Sequence, residues 1–560
     1  MNNKFKNIAL FSIVSGGMMM SSCDLVKDLE YKVLEDPLEM HGDEVELKIN
    51  GKFIEKGLHK KASVKLTPIF ICEDGTEIPF DMKEFKGEKA AGNGEVVPKG
   101  GKSFTYTSTR PYQANMEQGK VVVRVEPKKG KKEKDPITTD KIADGTIITP
   151  YLIQLDDQVI ACEDNFQRIT SATTSATINY AKGKFDVKSK ELKQQDILDY
   201  QAFITDAQTN IRRDVKSINI MSYASPEGEV DKNANLATDR ATSANAYLAK
   251  YYTKSGFTAP SISKSPKGED WDGFKTEVQK TNHEDKELIL RVLEMTSDVN
   301  KREEDIRNMA KTYKFLEKEV LPQLRRSTMT VTYDKVGYSD DELKQLSKSN
   351  PDTLTVEELL FTATLVEDLS EKLRIFTEAE RLFPNDYRVV NNVGYILYQQ
   401  NDIAGAKAKF EKANGIEQNS ISMNNLGAVA HMQGDRDKAK EIFAQAGSSP
   451  ETSYNLGLIS IQEGNYGEAL EKIGGNETFN TALAQVLNGD NESAKTALNN
   501  SVDSDGAYAD YLRAVIAART NNASDVATHL KSAIGKDSSL KAKAQKDAEF
   551  LKFKDAVSAL

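Results

Sequence analysis

Histidine and cysteine are scarce in this sequence, which limits the chemistry that it can perform. The chain has 5 His, 3 Cys and 1 Trp in 560 residues. None of the histidines has the spacing to a cysteine or a second histidine that is typical of a zinc site. They are His41, His59, His283, His431 and His529. We therefore expect neither a metal site nor a bound cofactor.

Motifs of the common catalytic sites are missing as well. The sequence contains no Gly-x-Ser-x-Gly turn, no P-loop and no His-Glu-x-x-His. Asp and Glu together number 85, so that close pairs of carboxylates arise by chance and are not diagnostic. We expect a protein that is not an enzyme. The alternative is a hydrolase in the N-terminal part, which would need a deep polar pocket with a perturbed acid or histidine.

Length and charge restrict the class of protein further. At about 150 residues per domain, the chain forms three or four domains. Lys and Arg number 75 against 85 Asp and Glu, which gives a formal net charge of −10. This balance has no excess of cations for a run of phosphates, and we expect no nucleic-acid partner. Apolar residues make up 39% and charged residues 29%, as in a soluble surface rather than a multispanning membrane protein.

The N-terminus has the pattern of an export signal. Lys4 and Lys6 precede a short apolar run at 8–14, which is too short to cross a bilayer. The run leads to Met-Ser-Ser before Cys23, which resembles the lipobox of bacterial lipoproteins. The resemblance implies a signal peptide at 1–22 and lipidation of Cys23, so that acyl chains anchor the protein to a membrane.

The two remaining cysteines, Cys72 and Cys162, are an even number in an oxidising compartment. Two interpretations stay open for them. They form a disulfide, or they are two small buried thiols that pack as apolar side chains.

Residues 23–165 are predicted to form a β-rich module that resembles a small sandwich. Val45, Leu47 and Ile49 alternate with charged residues, as in a half-buried strand. Asn50-Gly51 follows, and this dipeptide between apolar residues predicts a hairpin turn.

Residues 170–335 are predicted to form an α/β module. A strand at 215–220 is followed by a loop at 222–228 and by a helix with apolar residues at intervals of three and four. This stretch resembles the C-terminal domain of outer-membrane protein A and the peptidoglycan-associated lipoproteins, and it contains a helical insertion near 266–322. The residues in register are Gly228, Asn233, Leu236, Arg240, Ala241, Tyr247 and Leu248, and 324–331 resembles the closing Arg-Arg strand of the family.

The resemblance implies a peptidoglycan site. In the family, a loop Asp and a helix Arg hold the ammonium and the carboxylate of diaminopimelate. Arg240 is in place, but Ser225 stands at the Asp position and cannot supply its charge. We expect Glu227 to substitute for it, with Asn233 and Arg240 completing the site. The alternative is a retained fold that binds a protein or acts as a spacer, in which Arg240 is paired structurally.

Residues 353–560 contain a repeat. Asn391-Asn-Val-Gly394, Asn424-Asn-Leu-Gly427 and Tyr454-Asn-Leu-Gly457 recur with their glycines 33 and 30 positions apart. Each glycine is followed after seven residues by a turn pair and after twelve by Ala406, Ala439 or Ala469. The pattern resembles the tetratricopeptide repeat, which has a period of about 34 and a helix-turn-helix unit.

Glycine within a helix costs about 1 kcal/mol relative to alanine. Its recurrence at one phase therefore indicates that the two helices of a repeat approach closely. Asn392, Asn425 and Asn455 should point into the concave face of the array, where they would bind the backbone of an extended peptide. The alternative is that these amides are solvated or bond a neighbouring repeat.

The sequence thus predicts a multidomain α+β protein: a β-sandwich-like module, an α/β module and an all-α solenoid. We expect a lipoprotein of a Gram-negative outer membrane, on the periplasmic side, that acts as a tether and scaffold. It would contact peptidoglycan through residues 170–335 and a protein or peptide partner through the array. The alternative function is a subunit of a surface or secretion assembly in which the α/β module is purely structural.

Overall fold

A computed structural model describes residues 15–18, 25–27, 29–258 and 261–560. Cys23 and most of the predicted signal peptide lie outside the described residues. The chain divides into two compact units. The first unit contains 1–163 and 368–560, and the second unit contains 164–367.

Strands dominate the N-terminal part of the first unit. They are β1 Ser15–Met18, β2 Leu29–Val33, β3 Leu38–His41, β4 Glu44–Phe53, β5 Ala62–Cys72, β6 Glu77–Pro79, β7 Lys83–Gly87, β8 Glu95–Val97, β9 Lys102–Pro111, β10 Gly119–Lys129, β11 Lys132–Glu133, β12 Ile137–Thr138, β13 Ala143–Asp144 and β14 Thr146–Ile147. Short 3-10 turns lie at Ala114–Met116 and Thr149–Leu152.

These strands form two sheets that share one apolar core. The first has the order β1-β2-β4-β3-β14, with β9 paired to β4, and the second has the order β11-β10-β5-β7-β8, with smaller strands paired to β10 and β5. Alternate residues of β4, β5 and β10 are buried in the same cluster. The expected sandwich-like module is therefore present.

The predicted turn at Asn50-Gly51 is wrong, because β4 continues through both residues. Gly51 pairs with Tyr31 on one side and with Phe104 on the other. A Cβ atom at Gly51 would lie 2.3 Å from Cζ of Phe104, so the ring takes the space that a side chain would fill. Here glycine marks a close approach within a strand rather than a turn.

The second unit is an α/β layer with a helical insertion. Its strands are β15 Ile169–Asn179, β16 Arg213–Ala224, β17 Ile262–Glu269 and β18 Arg326–Val336. Its helices are α1 Gln195–Ala207, α2 Val230–Ser255, α3 Trp271–Lys280, α4 Lys286–Met295, α5 Val299–Asn308, α6 Ala310–Phe315, α7 Leu321–Leu324, α8 Asp340–Ser349 and α9 Val356–Thr364. A π-helical turn spans Leu316–Val320, and 3-10 turns span Glu191–Lys193 and Pro351–Thr353.

The sheet of this unit has the strand order β15-β18-β16-β17. β16 and β17 are parallel and joined through α2, whereas β18 runs antiparallel to both of its neighbours. Apolar residues of the sheet, α1 and α2 form one core, and the inserted helices form another around Phe274 and Leu316. The strand-loop-helix pattern predicted from the sequence is therefore present, with the insertion between β17 and β18.

The C-terminal part of the first unit is a row of helical hairpins, here called the array. Its helices are α10 Leu369–Leu382, α11 Tyr387–Gln399, α12 Ile403–Ile416, α13 Ser420–Met432, α14 Arg436–Ala446, α15 Pro450–Gln462, α16 Tyr466–Ile473, α17 Phe479–Leu487, α18 Asn491–Asn500, α19 Ala507–Arg519, α20 Ala523–Lys536, α21 Leu540–Lys546 and α22 Lys554–Ser558. A 3-10 segment spans Ala548–Phe553.

The predicted turn pairs lie between the two helices of each hairpin, and their sequences explain the turn. The first residue of the pair has a positive φ, as at Asn401 (63°) and Gly434 (84°). In two of the three central pairs the second residue caps the next helix: Asp402 and Asp435 each accept a hydrogen bond from a backbone N–H three residues on, whereas Asn465 does not. Asn or Gly tolerates the left-handed conformation, and Asp satisfies the helix N-terminus.

The sequence suggested separate modules at 23–165 and 353–560, whereas the structure combines most of both in the first unit. One reason is a buried charge cluster. Arg519 of α19 lies 2.6 Å from a carboxylate oxygen of Glu39 in β3 and 2.6 Å from one of Glu549. The hydroxyl of Thr149 also donates to Glu549, at 2.6 Å. Such contacts between residues hundreds of positions apart leave no signal in local sequence patterns.

Candidate functional site

The inner helices of the array hold a segment of the chain itself. Residues 154–162, here called the strap, follow the last 3-10 turn of the β-rich part and contain no helix or strand. The strap passes across α17, α15, α13 and α11, and so runs opposite to the chain direction of the array. It bonds Asn392, Asn425 and Asn455, the residues to which the sequence assigned a peptide ligand.

One asparagine from each of these four helices forms two hydrogen bonds with the backbone of one strap residue. These four asparagines are here called the asparagine ladder. In every case the side-chain oxygen accepts from the backbone N–H, and the side-chain nitrogen donates to the backbone C=O of the same residue. The pairs are Gln154 with Asn480 (3.0 and 2.8 Å), Gln158 with Asn455 (2.7 and 3.0 Å), Ile160 with Asn425 (2.7 and 2.8 Å) and Cys162 with Asn392 (2.7 and 2.9 Å).

The asparagine that precedes the ladder residue adds a second row of contacts. Asn391 donates to the carbonyl of Ile160 at 3.0 Å, and Asn424 donates to that of Gln158 at 2.9 Å. Asn391 also accepts from Asn425 at 3.1 Å, which links one hairpin to the next. Buried amides need such complete bonding, because each unsatisfied group costs about 1–3 kcal/mol. The Asn-Asn dipeptides thus serve both alternatives considered from sequence: they bind backbone and they bond the neighbouring repeat.

Three of the four ladder residues, Asn392, Asn425 and Asn455, were predicted for this role. The sequence interpretation missed Asn480, although a signal was present. Ala482 occupies the phase of the recurring glycine, and the turn pair Gly489-Asp490 follows it after seven residues. Asn480 stands two residues before Ala482, as the other ladder residues stand before their glycines.

Adjacent carboxylates of the strap enter two polar sites in the array. Asp156 accepts from the Tyr454 hydroxyl at 2.8 Å and from the Asn480 amide at 2.7 Å. Asp157 lies 2.7 Å from Nδ1 of His431, whose Nε2 lies 2.9 Å from the side-chain oxygen of Gln462. Burial raises the pKa of Asp156 against the effect of its hydrogen bonds.

The surroundings of His431 favour its protonated form. Both of its ring nitrogens face acceptors, which favours the doubly protonated ring. Burial opposes protonation of His431, but its hydrogen bond to Asp157 and the charge of that carboxylate outweigh burial and raise its pKa. The side chains of both His431 and Asp157 are fully buried, so the ion pair is shielded from salt and solvent.

The structure corrects the disulfide hypothesis, because Cys72 and Cys162 are free, buried thiols. Cys72 ends β5 within the core of the sandwich. Cys162 is the last residue of the strap, where Asn392 holds its backbone. Burial raises the pKa of the Cys162 thiol to about 12. Two buried thiols were the alternative considered from sequence, and Cys72 packs among apolar side chains as that alternative assumed.

In the second unit, Arg240 is buried and bonded to backbone. Its guanidinium donates to the carbonyls of Tyr223 (2.7 Å), Lys184 (3.1 Å) and Ala181 (3.4 Å) and lies over the Tyr180 ring. Burial lowers the pKa of Arg240 to about 10. The residue joins strand ends and loops of its own unit, and this geometry does not support the ligand-binding role that the resemblance implied.

Glu227 and Asn233 also have internal partners. An oxygen of Glu227 lies 2.7 Å from a guanidinium nitrogen of Arg325 and accepts from Ser225 at 2.6 Å. Asn233 donates to Glu269 at 2.8 Å. Ser225 stands where the resemblance would place Asp, and it bonds Glu227, the carboxylate that was expected to substitute for that Asp. Arg325, the first Arg of the closing Arg-Arg pair, is a partner that the sequence interpretation did not assign.

The other predicted properties concern metal sites, a hidden hydrolase and membrane anchoring. Among the described residues, no group of His, Cys, Asp and Glu side chains could hold a metal ion. A cavity between the sheets of the β-rich part is lined by residues such as Leu29, Ile49 and Phe85, and no acid or histidine is among its lining residues. No helix in the described ranges is both long and apolar enough to cross a membrane.

Comparison with known proteins identifies no family for the whole chain. No protein-family profile matches it, and no curated protein matches it. Among solved structures it is similar to a tetratricopeptide repeat protein from Parabacteroides merdae ATCC 43184, with 14% identity over 39% of this chain and 91% of that chain and a TM-score of 0.28.

Two further solved structures resemble part of the chain. YrrB, described as a TPR protein with an unusual peptide-binding site, is 20% identical over 37% of this chain and 99% of its own, with a TM-score of 0.21. PilF of Pseudomonas aeruginosa is 15% identical over 39% and 98%, with a TM-score of 0.28. The Parabacteroides merdae protein and YrrB are both described as tetratricopeptide repeat proteins.

Proposed function

We propose that this protein is a non-catalytic scaffold of the cell envelope that holds other macromolecules in place. The asparagine ladder is the observation that carries the proposal. It binds backbone groups rather than a reactive substrate, and it fixes the strap and the preceding β-rich part to the array. Stacked hairpins with a filled groove provide a stiff body with an extended surface, which suits protein-protein interaction.

The location in the envelope is part of this proposal and rests on the sequence. The lipobox-like Met-Ser-Ser before Cys23 supports lipidation and export. We propose the periplasmic side of a Gram-negative outer membrane. Growth with a labelled fatty acid tests the anchor: the protein should carry the label, and Cys23→Ser should abolish it. Labelling that persists in Cys23→Ser would contradict the assignment.

Contact with peptidoglycan through residues 170–335 belongs to the same proposal. The β15-α1-β16-α2-β17-β18 topology and the closing Arg-Arg pair support an OmpA-like domain. The backbone partners of Arg240 argue against a grip through that residue, and leave Arg325 beside Glu227 as the pair with the required charges. Titration of the full chain with muropeptides tests the contact. Saturable binding that Arg325→Lys weakens is expected, and no binding at millimolar ligand would remove this contact from the proposal.

A partner of the array is tested by cross-linking in cells that carry the intact anchor. The scaffold proposal predicts that the same protein partners are recovered repeatedly and lost when the array is removed. The alternative is a surface or secretion assembly in which the second unit is structural. Protease added to intact cells separates the two, since a periplasmic scaffold is protected and a surface subunit is cleaved.

A further inference from the structure

The array holds the strap by contacts that do not require the strap to be part of the same chain. The ladder reads backbone N–H and C=O groups, which every peptide offers except at proline nitrogens. The four ladder residues come from four successive hairpins. The groove, which is the surface that these residues line, therefore belongs to the array alone. The strap thus occupies the array in the way that a peptide ligand would, although both belong to one chain.

We propose that this groove is a binding site for an extended peptide with two adjacent carboxylates. The strap is its resident ligand, and a partner segment of the same pattern displaces it. This inference rests on the proposed role of the array in protein binding and names the chemistry of the partner. A backbone ladder alone would accept almost any sequence, so selectivity must come from the side-chain sites.

The two side-chain sites require the acids to be neighbours. Successive side chains of an extended chain point in opposite directions. Asp156 accordingly meets Tyr454 and Asn480 on α15 and α17, whereas Asp157 meets His431 on α13. The site of Asp157 is buried, whereas Asp156 remains partly open to solvent. Both sites supply hydrogen-bond donors, which an aliphatic side chain would leave without an acceptor and to which an amide would offer one oxygen instead of two.

The register of the groove adds an apolar requirement after the acids. Val159 packs against the cluster that contains Ala428, Ala439 and Phe443. The backbone bonds at Gln158 and Ile160 flank this residue. The pattern of the partner is thus two carboxylates, one residue of any type, and a branched apolar residue within an extended segment.

Displacement competes with an intramolecular ligand. A tethered segment has an effective concentration of the order of millimolar, so a free peptide of equal affinity gains little occupancy on the unmodified chain. Weakening the strap without touching the groove removes this obstacle. The double variant Asp156→Asn/Asp157→Asn changes only strap residues and keeps their size, which makes it the matched receptor for the test.

The probe is a fluorescent peptide of residues 152–163 with Ser in place of Cys162, and the control is the same peptide with both aspartates changed to Asn. Fluorescence anisotropy measures binding to the unmodified chain and to the double variant. A second measurement follows alkylation of Cys162 in the chain by mass spectrometry, with buried Cys72 as the internal reference. Displacement of the strap exposes Cys162, whereas binding elsewhere does not.

We expect the double variant to bind the acidic peptide at least about tenfold more tightly than the Asn peptide. The acidic peptide should also accelerate alkylation of Cys162. Asn425→Ala added to the double variant should weaken this binding. Equal binding of both peptides, absence of binding at about 1 mM peptide, or binding with Cys162 still protected would overturn the inference. Those results would leave the scaffold proposal intact, because lipid labelling and cross-linking test that proposal separately.

Discussion

Asn392 and Cys162 stand 230 positions apart in sequence, and they exchange two hydrogen bonds of 2.7 and 2.9 Å. The whole of the second unit, 164–367, lies between them in the chain. The chain therefore leaves the first unit at the end of the strap and returns to it at 368. Asn392 belongs to the array, and it holds the last strap residue before the chain enters the second unit.

The first prediction concerns the ladder. Asn425→Ala removes both of its bonds to Ile160. The N–H of Ile160 then has no partner, at a cost of about 1–3 kcal/mol, whereas Asn391 still donates to the carbonyl. Alkylation of Cys162 should therefore become markedly faster. Asn488→Ala, at an exposed position after α17, is the control and should not change the rate. Equal rates in the two variants would show that the ladder does not hold the strap.

The second prediction concerns the recurring glycines. A Cβ atom at Gly427 would lie 2.5 Å from ring atoms of Phe443 on the facing helix, whereas one at Gly535 would meet nothing within 4 Å. Gly427→Ala should destabilise the array by about 1–2 kcal/mol, because overpacking outweighs the gain in helix propensity.

Gly535→Ala serves as the control for this substitution and should stabilise α20 by up to about 1 kcal/mol. Urea unfolding followed by far-ultraviolet circular dichroism measures both variants. If both substitutions stabilise the array equally, close helix approach is not the reason for the glycine phase.

The third prediction concerns pH. The pKa of His431 is raised in the folded chain. Its contribution to stability is therefore complete below the unfolded value of about 6.5, and it is lost as the pH rises through the folded value. His431→Gln should be less stable than the unmodified chain, and the difference should be larger at pH 6 than at pH 9.

Thermal unfolding of both proteins at the two pH values measures this difference, with buffer effects cancelled by the comparison. The free energy at stake is up to about 3–5 kcal/mol, the cost of breaking a buried ion pair. A difference that stays constant or grows with pH would mean that His431 is neutral in the folded chain.

The fourth prediction separates structure from ligand binding in the second unit. Arg240→Leu leaves the carbonyls of Tyr223 and Lys184 without donors and should destabilise the second unit by about 2–4 kcal/mol in the absence of any ligand. Arg213→Ala, which breaks a half-exposed pair with Asp206, should cost less than about 1 kcal/mol. Unchanged thermal stability of Arg240→Leu would return Arg240 to the candidates for ligand binding.

Local patterns in the sequence predicted the local structure well. The phase of Gly394, Gly427 and Gly457 located the hairpins, and the turn pairs located their loops, because close helix packing and left-handed turns each restrict residue type. The same phase identified three ladder residues. Alternation predicted β4, but Asn50-Gly51 was misread since the ring of Phe104 acts on Gly51 from a distant strand.

Long-range pairing was not predictable from those patterns. The strap residues Asp156 and Asp157 look like part of a polar linker, and nothing near them indicates His431 or Tyr454. Their partners depend on how the β-rich part and the array come together, as does the burial of Arg519 between Glu39 and Glu549. Similarly, the family resemblance pointed to Arg240, but it could not show that the guanidinium of this residue donates to backbone carbonyls of its own unit.

Hydrogen-deuterium exchange of the full chain, read residue by residue by electron-transfer fragmentation, tests the occupied groove most directly. The amide protons of Gln158, Ile160 and Cys162 donate to buried asparagines, so they should exchange slowly in the unmodified chain and much faster in Asn425→Ala. Exchange of all three at the rate of an unstructured peptide in the unmodified chain would show that the array does not hold the strap.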